Sequence, residues 1–115
     1  MIGASLGVPS AFTSLGPIVR FNPNGTIDAR NAGAYSADAN LTYSAGTAYH
    51  IAMDMDVAAH TYSVTVTAPS QTPVALARDY AFRSEQAHVP SLDHLGQFVD
   101  TTPGTLSVCA LTVVY

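Results

Sequence analysis

Two runs of strict alternation, placed back to back between His50 and Thr67, leave this chain few ways to fold. In the first, Ile51, Met53 and Met55 alternate with His50, Ala52, Asp54 and Asp56. In the second, His60, Tyr62, Val64 and Val66 alternate with Thr61, Ser63, Thr65 and Thr67. Period-two patterning on both sides of a short link containing Asp predicts a β-hairpin with one buried face. Pairing the strands about the link sets Met55 opposite His60, Met53 opposite Tyr62 and Ile51 opposite Val64. In that register His60 turns inward among Met and Tyr, while His50 faces the polar side. An imidazole turned into a core needs a hydrogen-bond partner.

The rest of the chain reads as more short strands and turns. Residues 1–16 form a small, polar lead-in. Pro17–Phe21 is a strand, Asn22–Gly25 is a turn with Pro and Asn-Gly chemistry, and Thr26–Arg30 returns from it. Short strands follow at Ala34–Ala37 and Asn40–Tyr43, ahead of the hairpin. Pro69–Thr72 turns the chain into Val74–Phe82, which runs antiparallel to Tyr62–Thr67. Arg83–Gly104 is an excursion without strand character, in which Ser91 caps one helical turn over SLDHLGQF. Thr105–Tyr115 closes the chain as a final strand, with Cys109 buried in it. Short strands, seven prolines and eight glycines in 115 residues predict an all-β, compact antiparallel jelly roll or β-sandwich. That length accommodates a single domain over residues 1–115.

Charge narrows the partners. Only 10% of residues are charged, against the usual quarter or so, and the net charge is −4 with four Arg and no Lys. Such a balance argues against nucleic acid or an anionic membrane as partner. No apolar run is long enough for a membrane span. A surface covered by Ser, Thr, Asn, Gly and Ala is of the kind common in extracellular bacterial proteins, and the expected location is therefore secreted. The segment MIGASLGVPSAF lacks the basic and apolar regions of a signal peptide, which places the leader outside this chain. The scarcity of edge-protecting charge predicts a homodimer.

Strand geometry decides which histidines can meet. His50 and His60 lie on opposite faces roughly 17 Å apart at ~3.3 Å per residue, too far to share an ion. The Pro69–Thr72 turn places Tyr80 opposite His60 and Phe82 beyond it, so the excursion leaves the sheet at the His60 end. His88 and His94 then fold back to that rim, making His60, His88 and His94 the candidate metal ligands. Nitrogen-rich sites of this type suit copper or zinc. Against this, no HxH or HExxH spacing is present, and each imidazole can equally be a structural or solvated group. Asp54 and Asp56 share a strand face with His50 and read as a solvated polar face or a weak calcium site. No GxSxG elbow and no phosphate-binding Gly loop is found. Tyr35, Tyr43 and Tyr49 offer amphipathic rings to sugars.

The runs IVRFNPNGTIDARNAGAY, LTYSAGTAYHIAMDMDV, HTYSVTV, DYAFRSEQ and GTLSVCALTV together resemble the jelly-roll domains carried beside bacterial polysaccharide-degrading enzymes. More narrowly, the chain resembles small copper-dependent enzymes that cleave cellulose oxidatively within a compact, cupin-like jelly roll. That resemblance implies a copper ion, oxidation of cellulose or a related β-glucan from chain ends at C1, aldonic-acid products, peroxide or oxygen as co-substrate, and a homodimer. No ligand motif carries over, so the trio rests on strand geometry. Lytic polysaccharide monooxygenases begin with a copper-binding histidine, whereas this chain begins Met1-Ile2, so copper here requires internal side chains. On this reading Gln86, or Glu85, orients an imidazole, and Tyr62 or Tyr80 hydrogen-bonds a species on the metal. The alternatives are a non-catalytic carbohydrate-binding module using the tyrosines of the polar hairpin face, or a purely structural β-domain.

Overall fold

Thr61–Thr67 alternates so regularly that Tyr62, Val64 and Val66 are fully buried while the residues between them are half-exposed. That face organises the sandwich. The computed structural model describes residues 1–99 and 104–114. Among them run eight strands: β1 (Ile2–Ser5), β2 (Ile18–Phe21), β3 (Ile27–Asn31), β4 (Ala34–Ser36), β5 (His50–Asp56), β6 (Thr61–Thr67), β7 (Val74–Ala81) and β8 (His94–Gln97). Two single-turn 3₁₀ helices, Phe12–Ser14 and Ser84–Gln86, are the helical elements among the described residues. All ladders are antiparallel, in one sheet ordered β4-β3-β2-β1-β8 and a second ordered β5-β6-β7. The protein is thus an all-β sandwich, as the alternation predicts.

The core lies between the sheets. Val19, Ile27 and Ala29 of the larger sheet meet Tyr62, Val64, Val66, Leu76, Ala77 and Tyr80 of the smaller one, with Phe82 and Val89 closing one end. Phe21, Tyr43, Tyr49, Ile51, Met53, Met55 and Leu92 pack around it, partly buried. Leu15 and Ile18 are equally buried but stand apart from this cluster. They lie where the chain following β1 folds over the sheet.

Several expected elements take another form. The lead-in is not loose: Ile2–Ser5 is an inner strand, paired with β2 on one side and β8 on the other. Its small residues are required by close cover. A Cβ on Gly3 would collide with the Pro17 carbonyl, and one on its partner Gly96 would lie 2.8 Å from Pro9 and 2.9 Å from Leu15. The SLDHLGQF turn is a strand, because His94–Gln97 finds a full ladder on β1. Asn40–Tyr43 is reduced to one isolated bridge between Thr26 and Thr42. Residues 105–114 form no strand, and Cys109 is exposed rather than buried. The slot beside β1 is already filled by β8. Tyr115, the end of that expected strand, and residues 100–103 of the expected excursion lie outside the described residues.

The hairpin keeps its faces but shifts its register by two. Met55 pairs with Tyr62, Met53 with Val64 and Ile51 with Val66. A shift of two leaves every side chain on its predicted face. It moves His60 out of the strand into a four-residue turn, Val57–His60. The Asp56 carboxylate accepts the Ala59 amide at 3.0 Å, and His60, at φ 55°, donates its amide to Val57 at 3.2 Å. Asp side chains favour such local capping, which ends the strand early.

The tight cover over β1 and β8 predicts a test. Gly96→Ala should lower stability by about 1–3 kcal/mol through overpacking. Urea unfolding should show a lower midpoint with an unchanged slope. A variant as stable as the parent would mean the 9–17 segment does not lie on β8.

Candidate functional site

Two of the three predicted metal ligands are engaged with other groups, and the third is exposed. His60 sits in the hairpin turn, half-buried, with its ring edge-on to Phe82 at 5.7 Å. Its Nε2 lies 2.8 Å from the Val89 carbonyl. A carbonyl only accepts, so the ring donates from Nε2. His88 is exposed in the connection to β8. His94 stands on β8 opposite Ser5, with Nδ1 donating to the adjacent Asp93 carboxylate at 2.8 Å. That bond, followed by the Gly7 amide, holds the Asp93 carboxyl below its usual range. Among the described residues no group of three or more His, Cys, Asp or Glu is placed to hold a metal ion. The donor set therefore does not fit copper as it stands, and no chemical step is assigned to a metal. His50, exposed on β5, remains apart from His60 as expected.

The residues expected to support catalysis are fold ties instead. Tyr62 is buried, and its hydroxyl lies 2.9 Å from the Ile18 carbonyl and 2.5 Å from the Arg30 carbonyl. It thus joins β6 to β2 and β3 across the sandwich. Burial pushes this hydroxyl well above its ordinary pKa of 10.0. Gln86 orients no imidazole; its amide donates to the Thr13 carbonyl at 2.9 Å. Arg83, beside it, is buried with Nε 2.9 Å from Glu85, and its Nη2 donates to Glu85 at 3.3 Å. The backbone of the same stretch is stitched down: Phe82 N–H donates to His60, Arg83 to Gly16 and Ser84 to Ala32. DYAFRSEQ is therefore a clasp between the hairpin turn and the segment preceding β2.

Tyr80 leads to an unforeseen place. Its hydroxyl donates to Asp38 Oδ1 at 2.9 Å, and the Arg78 amide donates to Asp38 Oδ2 at 2.9 Å. Burial raises the Tyr80 hydroxyl pKa. Asp38 belongs to the loop after β4, which walls a cleft of about 320 Å³ lined by Thr26, Asp28, Ser36, Asp38, Asn40 and neighbouring apolar atoms. Inside it, Asp28 accepts two bonds from Arg20, at 2.9 and 2.7 Å, and one from Asn22 at 2.9 Å. The Asp28 hydrogen bond raises the Arg20 pKa in turn. The Asn40 amide is exposed beside these fixed carboxylates and makes no hydrogen bond among the described residues. Sequence spacing gave no warning here, because Asp38 and Tyr80 are joined only by the tertiary fold. The alternating Ser, Asp and Asn of Ser36–Asn40 are the one local cue in the sequence.

A second hollow, about 220 Å³, opens on the outer face of the smaller sheet among Asp54, Asp56, Thr61, Ser63 and Asp79. Asp54 and Asp56 are solvated there. The expected tyrosine platform is split. Tyr35 lies under Arg20, 3.6 Å from its ring centre, whereas Tyr43 and Tyr49 cluster on Phe21 at 5.1 and 5.9 Å.

Among known proteins the chain is similar to a gellan lyase of Bacillus sp, at 34% identity over 96 residues. The match covers 83% of this chain but 4% of that enzyme, so the chain spans a small part of its relative's length. No protein-family profile matches, and no solved structure matches.

Tyr62 supplies a prediction. Its folded pKa lies above the unfolded one, so its contribution is fully present below about pH 10 and lost as pH rises through the folded value. Tyr62→Phe should cost about 1–3 kcal/mol at neutral pH by removing the one buried hydroxyl donor shared by the Ile18 and Arg30 carbonyls. It should also flatten the fall in stability above pH 10. Urea titrations of both proteins across that range decide it, and an unchanged midpoint at neutral pH would refute the cross-sheet tie.

Proposed function

We propose that the chain is a non-catalytic, polysaccharide-associated β-sandwich module whose sugar subsite is the cleft between β3, β4 and the Ser36–Asn40 loop. The observation that carries this reading is the similarity to a short part of a gellan lyase. A stretch of that size within a long degradative enzyme suits an accessory module.

The cleft supplies matching chemistry. At about 320 Å³ it lies near the lower end of ligand pockets, which run from about 300 to 1,000 Å³, and suits one or two sugar rings. Asp38 is pinned by Tyr80 and Arg78, and Asp28 by Arg20 and Asn22. Carboxylates fixed in this way present their remaining lone pairs to sugar hydroxyls at little entropic cost. Asn40 adds both a donor and an acceptor at the rim.

Affinity electrophoresis through gellan and through a soluble cellulose derivative tests the reading. Retardation is expected in at least one gel, and Asn40→Ala should weaken it about two- to tenfold, the worth of one hydrogen bond of about 0.5–1.5 kcal/mol. His60→Ala, His88→Ala and His94→Ala should leave it unchanged in folded protein. No retardation by either polymer would end the proposal. So would aldonic-acid release from cellulose by copper-loaded protein with ascorbate or peroxide, which would instead establish the copper oxidase.

A further inference from the structure

The two edges of the smaller sheet are treated very differently. Along β7 the ladder to β6 is broken by irregularities between Tyr62 and Val64 and between Val64 and Thr65, and Asp79 lies at φ 52°. Side chains and loops then occupy its outward groups. Arg78 N–H donates to Asp38, Ala81 N–H to Asn31, and the Leu76 and Ala81 carbonyls accept from Asp38 and Ala32 amides. Bulges and caps of this kind are how proteins close a sheet edge.

β5 has none of this. It is seven residues long, pairs with β6 in unbroken register, and contains no Pro, Lys or positive-φ residue. Among the described residues, no hydrogen bond beyond the β5–β6 ladder engages the backbone N–H or C=O groups of positions 50–56. Ile51, Met53 and Met55 reach the core yet stay half-exposed, so apolar surface accompanies the open backbone groups.

We propose that β5 is a homodimer interface, pairing antiparallel with β5 of a second copy to make a continuous six-stranded sheet. The sequence of the strand is complementary to itself. Full overlap about Met53 sets His50 opposite Asp56 of the partner, Ala52 opposite Asp54, Ile51 opposite Met55, and Met53 opposite Met53. An imidazole donor thus meets a carboxylate at each end of the ladder, and the half-exposed apolar side chains meet across its inner face. Opposed polar and apolar pairs of this kind stabilise antiparallel ladders. The twofold repeats each contact, as an isologous interface demands. This assembly does not depend on the sugar subsite, which lies on the other sheet.

Sedimentation equilibrium at micromolar concentration tests it, with an expected mass of twice the 12.0 kDa chain. Ala52 is exposed, so its substitutions spare the core. Ala52→Glu brings a carboxylate opposite Asp54 and should weaken the dimer about five- to tenfold, whereas Ala52→Lys brings an ammonium there and should tighten it. Opposite effects at one exposed position distinguish this register from general loss of fold. A mass of 12.0 kDa throughout, or equal behaviour of the two variants, overturns the proposal. A monomer with its outward β5 amides protected from hydrogen exchange also overturns it, since residues 105–114 of the same chain would then occupy the edge.

Discussion

One buried hydroxyl holds the two sheets in place. Tyr62 projects from β6 to the point where β2 and β3 part, one step beyond the Val19–Ala29 pair, and serves the Ile18 and Arg30 carbonyls there. Without it, carbonyls at the end of the ladder would face an apolar core unpaired, which is costly. The Tyr62 ring also leans on Phe82 at 6.2 Å. From Phe82 the clasp runs on through Arg83, Ser84 and Gln86 to residues far apart in the chain. Sheet spacing, the hairpin turn and the segment before β2 are therefore set by one connected group of contacts.

That dependence explains why polar residues in apolar surroundings are ambiguous in a sequence. An inward His, two buried Tyr and a Gln beside them have the composition of a site, but three of them satisfy backbone groups and Tyr80 ties down the Asp38 carboxylate. His60 serves Val89, Tyr62 serves Ile18 and Arg30, and Gln86 serves Thr13. Buried backbone groups must be paired, and a sandwich with long connections has many that no ladder reaches. Side chains suited to catalysis are equally suited to this.

What the sequence made legible was periodicity. Ile51, Met53 and Met55 keep their face despite a two-residue error in register, because the pleat repeats every two residues. The position of His60 was not legible, since it depends on the Asp56 cap and a left-handed residue at the end of the turn. β1 is not legible in the sequence because IGAS has no alternation and little bulk; its cover comes from Leu15, Pro17 and β8, none of them adjacent in sequence. Residues 105–114 show the converse. They carry stronger strand character than β1 does, yet β8 has taken the place beside β1, and the Gln97 side chain donates to the Leu106 carbonyl.

Three of the few charges sit where the fold needs direction. Arg20 and Asp28 form a two-bond pair with Asn22 at the cleft, and Asp38 closes part of the β7 edge while lining that cleft. A protein with 10% charged residues exerts little long-range steering, so recognition by it must rest on short-range hydrogen bonds at fixed positions. Asp38 shows how one residue serves both ends. By accepting from Tyr80 and from the Arg78 amide it ties the loop to β7, and the same two bonds fix its carboxylate at the cleft wall. Loosening that tie would expose a strand edge and blur the cleft together, so edge protection and the geometry of the cleft are one constraint on this side of the sandwich.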